Sequence, residues 1–292
     1  MTLQEQIQAI DRLKKEIEAL RPLSPELERR IMDKFRLDWT YHSNAIEGNT
    51  LTYGETKAFL LHGITAAGKP FRDYLEMRGH HQALDYLQAL VRDQEPLTEA
   101  AVRELHKIIL VEPHRQPAQT ADGQPTTRLI QPGQYKSAPN HVLTQTGELH
   151  HYATPEETPM LMAELLAWYR REREQVHPVV FAAAFHYRFV IIHPFDDGNG
   201  RMARLLMNLL LMQAGYPPVI IPLSARNPYL LALEQADADN NLEPFVLLVA
   251  EFLLASEEQL LRLLRGEPDY DAGEWQEGVK RLQERLTDGA GS

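Results

Sequence analysis

Leu3, Ile7, Ile10, Leu13, Ile17 and Leu20 return every three or four residues through an otherwise charged stretch, the spacing of one helical stripe. Such a stripe needs an apolar partner, either the body of the chain or a second copy. Coiled coils sustain the pattern over three or four heptads and this stretch is shorter, so docking on the body is the expectation. Ser24-Pro25 reads as an N-cap and a first-turn proline, opening a helix that carries Leu27, Ile31 and Phe35. That pattern breaks in YHSNAIEGNT, residues 41–50. Thr52 and Glu55 have capping-box spacing for a short helix that Gly63 closes. Longer helical patterns follow at about Phe71 to Arg92 and Thr98 to Leu110.

From Val111 to Thr154 proline and glycine replace periodicity, which predicts a loop with one hairpin turning near Thr146-Gly147. Helices resume at about Pro155 to Glu174, behind the capping-box spacing of Thr154 and Glu157. Others are expected at Pro178 to Ile192, Asn199 to Ala214, Pro228 to Ala238 and Glu243 to Arg265. The fold class is therefore all-α, a helical bundle with one small β-hairpin.

With 43% hydrophobic and 24% charged residues over 292 positions, the chain can bury a sizeable core. Its longest apolar runs fall short of the roughly 18 residues that span a membrane. A charged, amphipathic start does not resemble a secretory signal, and zero cysteines exclude disulfides and thiolate chemistry. The cytoplasm is the default compartment. A net charge of −11 disfavours broad nucleic-acid binding, so any anion must meet a local cluster of basic residues.

HPFDDGNGR, residues 193–201, supplies such a cluster. Pro194 disfavours helical geometry at His193, so the imidazole is presented at a helix end. The glycines open the next helix, whose unpaired N–H groups and partial positive charge suit a phosphate. Arg201 and Arg204 follow on one face. Asp196 and Asp197 look misplaced beside an anion, unless one of them holds the Mg²⁺ that accompanies a polyphosphate. The same residues also suit a plain helix cap and turn. His186, inside an apolar helix, reads as a core histidine, and His80, His81, His150 and His151 lack metal-ligand spacing.

HPFDDGNGRMAR satisfies every fixed position of H-x-F-x-[DE]-G-N-G-R-x-x-R, and the chain from about Phe35 to Phe252 resembles the Fic family, bacterial and animal. The resemblance implies a Fic fold and transfer of AMP from ATP to a Ser, Thr or Tyr hydroxyl of a target protein, with release of pyrophosphate. It casts His193 as general base, Phe195 as core anchor and Asp197 as Mg²⁺ ligand. Gly198, Asn199 and Gly200 would cradle phosphate, and Arg201 and Arg204 would clamp it. SNAIEGN, residues 43–49, resembles the family's inhibitory pattern, with Ser43 and Glu47 at its fixed positions and Glu47 aimed at Arg204. On this reading residues 1–65 form an N-terminal helical region bearing the inhibitory helix at about 43–48. Residues 66–265 form the catalytic core, and 266–292 a C-terminal helix or tail.

GQYKSAPNHVL resembles the family's target-binding flap, which implicates Lys136, His141, Val142 and Leu143 in strand addition to the modified segment. Lys136 stands where many relatives have arginine, and Pro139 removes a donor. Adenine is expected near NPYLLALEQAD, with Tyr229 as a stacking or hydroxyl contact; Asp237 stands where relatives commonly have Asn. Two other activities fit the same residues: removal of AMP through Glu47, and nucleotide-sensing without turnover. A homodimer partner is permitted by the amino-terminal stripe. A membrane partner is not expected, and neither is nucleic acid, since too few residues follow Arg265 for a winged-helix module.

Overall fold

The computed structural model describes residues 1–119, 124–139, 141–143 and 149–267. Helix α1 (Leu3–Ala19) starts at a reciprocal capping box between Thr2 and Glu5. Helix α2 (Pro25–Ile46) starts at Ser24, whose hydroxyl accepts from the Leu27 N–H, with Pro25 in the first turn. It runs unbroken through Ser43, so the segment that resembles the inhibitory pattern is the last turn of a 22-residue helix and not an element of its own. Helix α3 (Tyr53–His62) is capped by Thr52 and Glu55 and stopped by left-handed Gly63, as the spacing predicts.

Helices α4 (Phe71–Arg92) and α5 (Glu99–Leu110) lead into two hairpins where the sequence shows one. The extra hairpin pairs β1 (His114–Gln119) with β2 (Pro125–Ile130) antiparallel, setting Gln116 opposite Arg128. The expected hairpin is β3 (His141–Leu143) with β4 (Leu149–His151). Its predicted turn at Thr146-Gly147 lies outside the described residues. Helix α6 (Thr158–Glu172) begins three residues later than predicted. The Thr154–Glu157 capping bonds are present, but they close a turn ahead of the helix. Helices α7 (Pro178–Ile192), α8 (Asn199–Gln213), α9 (Arg226–Ala238) and α10 (Glu243–Leu264) complete the bundle. All but the first two residues of the predicted tail lie outside the described residues.

The main core is a contiguous cluster running from Ile10 in α1 to Leu261 in α10, with a small second cluster of Leu51, Tyr74 and Met77. Its centre is the pair α7 and α8, apolar nearly all round, with Phe181, Phe185 and Phe189 facing Met202, Leu205, Leu206 and Leu209 at 3% exposure or less. The stripe on α1 docks within the chain: Ile10 and Ile17 are buried against the body, and Gln6 donates a buried hydrogen bond to Glu251 of α10 at 3.1 Å. That outcome follows the docking expectation and uses the surface a coiled coil would have needed. Among the described residues no helix is long and apolar enough to cross a membrane.

Candidate active site

Two buried helices meet end to end at the site. Helix α7 must stop before Pro194, and His193 caps it in left-handed geometry (φ 49°), its N–H on the Phe189 carbonyl at 3.0 Å. Phe195 then plunges into the core at 0% exposure and stacks on the His106 imidazole, centroids 3.7 Å apart. Full burial of a phenylalanine contributes about 1.5–3 kcal/mol, enough to pin the loop between the helices. Asn199 locks it further: its amide donates to the Phe195 carbonyl at 2.8 Å and its carbonyl accepts the Phe195 N–H at 3.0 Å. The Asn199 side chain thus holds the loop, and the N–H groups that open α8 are backbone.

Gly198 precedes α8 at φ 78°, a conformation that side chains rarely adopt. A Cβ at Gly200 would meet the Glu47 carboxylate, so a side chain there would push that acid aside. The Glu47 carboxylate therefore lies directly over the opening turn of α8. Glu47 Oε1 accepts from Arg204 Nη2 at 2.7 Å, while Ser43 holds the same guanidinium through its hydroxyl (3.1 Å) and its carbonyl (2.8 Å). Arg204 is 3% exposed. Arg226 caps the end of α2 by donating to the Ile46 carbonyl at 2.8 Å.

Tyr229 lies within this cluster at 2% exposure, so its ring offers no open face to a base. Its hydroxyl instead accepts from Arg204 at 3.5 Å and donates to His186 Nε2 at 3.0 Å. The correction has a physical reason: α9 packs Tyr229 against Phe245 and His186, making it a support for the arginine. Burial, followed by the positive charge of Arg204, pushes the His186 pKa down to about 3, which keeps the ring neutral and able to accept.

The puzzle of the two aspartates resolves into two different environments. Asp197 accepts the Gly198 N–H on Oδ1 (2.6 Å) and takes Arg72 (2.9 Å) and Gln116 (2.6 Å) on Oδ2. Burial raises its pKa, but Arg201, the Gly198 N–H, Arg72 and His114 outweigh that and hold it below the ordinary range. Asp196 pairs with Arg128 at 3.1 Å and accepts the Ser137 N–H at 3.4 Å, and burial moves its pKa up. Gln116 and Arg128 sit opposite each other in the first hairpin, so a single rung of β1–β2 holds both carboxylates. Arg201, 2% exposed, reaches Asn44 and Glu76 at 3.5 Å and Asp197 at 3.7 Å.

Asp197 would suit Mg²⁺ by its donor chemistry: one hard carboxylate kept ionised beside the N-terminus of α8. Mg²⁺ characteristically takes one or two carboxylates and completes its shell with water and phosphate oxygens. Among the described residues no cluster of three or more His, Asp or Glu forms a protein cage.

Lys136 departs from its expected place. It precedes β3, is 3% exposed, and donates its amine to the Ile192 carbonyl at 3.0 Å and its N–H to Pro194 at 2.8 Å. It fastens the end of α7 instead of facing a target, and burial pushes its pKa down to about 8. His141, Val142 and Leu143 form strand β3. His80 is buried beside Thr40 and Trp39, away from any metal-like cluster. Arg72, His106, Gln116, Arg128 and Tyr152 were not legible from spacing. His106 accepts the Gly133 N–H on Nδ1 (2.7 Å), leaving Nε2–H for the Asp197 carbonyl at 3.0 Å. Tyr152 stacks on His193, centroids 3.9 Å apart.

The Fic/DOC family matches residues 96–211. A Fic domain-containing signalling protein from Bacteroides thetaiotaomicron is 40% identical with a TM-score of 0.81, the match covering 91% of this chain and 100% of that one. The chain belongs to the Fic family. The Caenorhabditis elegans Fic-1 structure, residues 134–508, is 29% identical with a TM-score of 0.74, covering 90% of this Fic chain and 73% of that one. The protein adenylyltransferase Fic of Nematostella vectensis is 34% identical over 249 residues, which is 85% of this chain and 53% of that protein. This Fic protein thus spans about half the length of that relative.

Proposed function

We propose that the protein is an autoinhibited protein adenylyltransferase, transferring AMP from ATP to a Ser, Thr or Tyr hydroxyl of another protein. The observation that carries the reading is the meeting of His193, at the end of α7, with the opening turn of α8 and its two buried arginines. The relatives' name, protein adenylyltransferase, supports it.

A hydroxyl is a poor nucleophile near neutrality, and an imidazole of ordinary pKa about 6.5 can take its proton during attack. The hydroxyl oxygen bonds to the α-phosphorus of ATP, the bond to the bridging oxygen breaks, and pyrophosphate leaves. Charge on the leaving group is met by the α8 N–H groups, Arg201 and Arg204, all fixed beforehand by Asn199, Asn44, Ser43 and Tyr229. Mg²⁺ bound at Asp197 would supply further neutralisation of phosphate charge. Glu47 is the brake. It occupies the Arg204 fork and sets a carboxylate where a terminal phosphate is to bind.

The test is intact mass spectrometry of candidate acceptors incubated with ATP and the Glu47→Gly protein. An added AMP that disappears with His193→Ala supports the reading; nucleotide binding with neither pyrophosphate release nor AMP attachment makes the protein a nucleotide sensor. A second activity, removal of AMP, is favoured by Glu47 itself. Oε1 is bound to Arg204 while the side chain stays 38% exposed, which leaves Oε2 open to hold a water. Loss of AMP from a pre-modified acceptor with the wild type, but not with Glu47→Ala, would establish it. We place the protein in the cytoplasm, in keeping with its lack of cysteine.

A further inference from the structure

Tyr152 directly follows β4 and lays its ring on the His193 imidazole, centroids 3.9 Å apart and planes 16° apart. That is close, nearly parallel stacking. The His193 backbone is already fixed by its left-handed cap and by its bond to Phe189, so rotation of the side chain is the freedom that remains. A ring lying flat on the imidazole removes it. Burial first, then Asp237, Glu234 and Tyr229, push its hydroxyl up to about 12, so the phenol stays neutral.

We propose that Tyr152 is a positioning residue for His193, fixing the imidazole plane by ring contact and tying it to the seating of the β3–β4 hairpin. The proposal rests on reading His193 as the base. A target segment that adds to the hairpin then steadies the strand whose next residue orients the imidazole, so acceptor binding and base alignment are coupled. A hydroxyl must meet its base in a near-attack geometry, and small misplacements there are costly in rate.

Tyr152→Phe and Tyr152→Leu are compared in the Glu47→Gly protein. Without nucleotide, the His193 ring protons, identified by their loss in His193→Ala, are expected upfield in the parent and in Tyr152→Phe. They should return to ordinary positions in Tyr152→Leu. In turnover, Tyr152→Leu is expected to lose about tenfold or more in kcat with the KM for ATP held within about twofold, and Tyr152→Phe to restore it. An unchanged kcat in Tyr152→Leu overturns the proposal, as does a loss that Tyr152→Phe fails to rescue. A KM effect without a kcat effect also overturns it, by making Tyr152 a nucleotide contact. If the parent transfers no AMP, the enzymatic reading has failed, and the ring-proton positions alone decide the contact: shifts lost only in Tyr152→Leu support it, and their absence in the parent refutes it.

Discussion

Replacing Glu47 by glycine removes a carboxylate that holds a buried guanidinium at 2.7 Å, and the size of the effect follows from that contact. Hydrogen bonds to charged groups contribute about 1.5–3 kcal/mol. Glu47 is 38% exposed, so solvent screening reduces the net to about 1–2 kcal/mol. A γ-phosphate bound at Arg204 must displace this interaction, so its removal tightens ATP binding by roughly 5- to 30-fold. AMP, which carries no γ-phosphate, gains nothing. Calorimetric titration with ATP and AMP measures both, and incorporation of labelled ATP into the protein itself should rise at least as much as ATP affinity. Without nucleotide the variant should unfold at a lower temperature, because Arg204 loses its counter-charge, and ATP should then stabilise it more than it does the wild type. Equal ATP affinity and equal incorporation in wild type and Glu47→Gly would refute the brake.

Adding His193→Ala to Glu47→Gly should abolish incorporation while leaving the ATP dissociation constant within about threefold, since the imidazole acts on the acceptor proton; parallel titration and gel assays separate the two. In the Glu47→Gly protein, chelation of divalent cations should weaken ATP binding, and Asp197→Ala should remove that dependence, as read by titration with and without EDTA. The His186 pKa is about 3 in the folded protein and near 6.5 when unfolded, so the unfolded chain binds the extra proton between these values. Stability contributed by the neutral ring is complete above about pH 6.5 and declines as pH falls toward 3. Denaturant titrations across that window should show a shallower slope for His186→Phe than for the wild type.

The helices were legible because their signals are local. Ser24-Pro25, Thr52 with Glu55, and the apolar faces of α7 and α8 each lie within one or two turns of sequence. The same locality exposed the motif and the likeness of Ser43 and Glu47 to the inhibitory pattern. The first hairpin was hidden because β1 and β2 contain Pro117 and Pro125, and the alternating burial of β1 falls on the largely polar sequence HRQPAQ. What gives it purpose is tertiary: Gln116 and Arg128 reach Asp197 and Asp196 across 81 and 68 residues of chain. Arg72 spans 125 residues to the same Asp197, and spacing alone carries no trace of such a pairing. Lys136 and Tyr229 failed in the opposite way. One read as a flap contact to a target and the other as a contact to adenine, and packing turned both inward to hold up neighbours.

The unbroken run of α2 from Pro25 to Ile46 has a mechanical consequence. A rod of that length spans about 33 Å, and its middle, at Ile31 and Phe35, is embedded in the common core. Swinging it aside would tear that core open, so on the proposed reading Glu47 is released by unwinding the final turn, which Arg226 holds at the Ile46 carbonyl, Arg204 at Ser43 and Arg201 at Asn44. If Glu47 is the brake proposed above, such a latch frays by degrees and would set a resting trickle of turnover in place of a hard stop. Amide exchange should accordingly run faster at residues 43–48 than at residues 31–39 of the same helix.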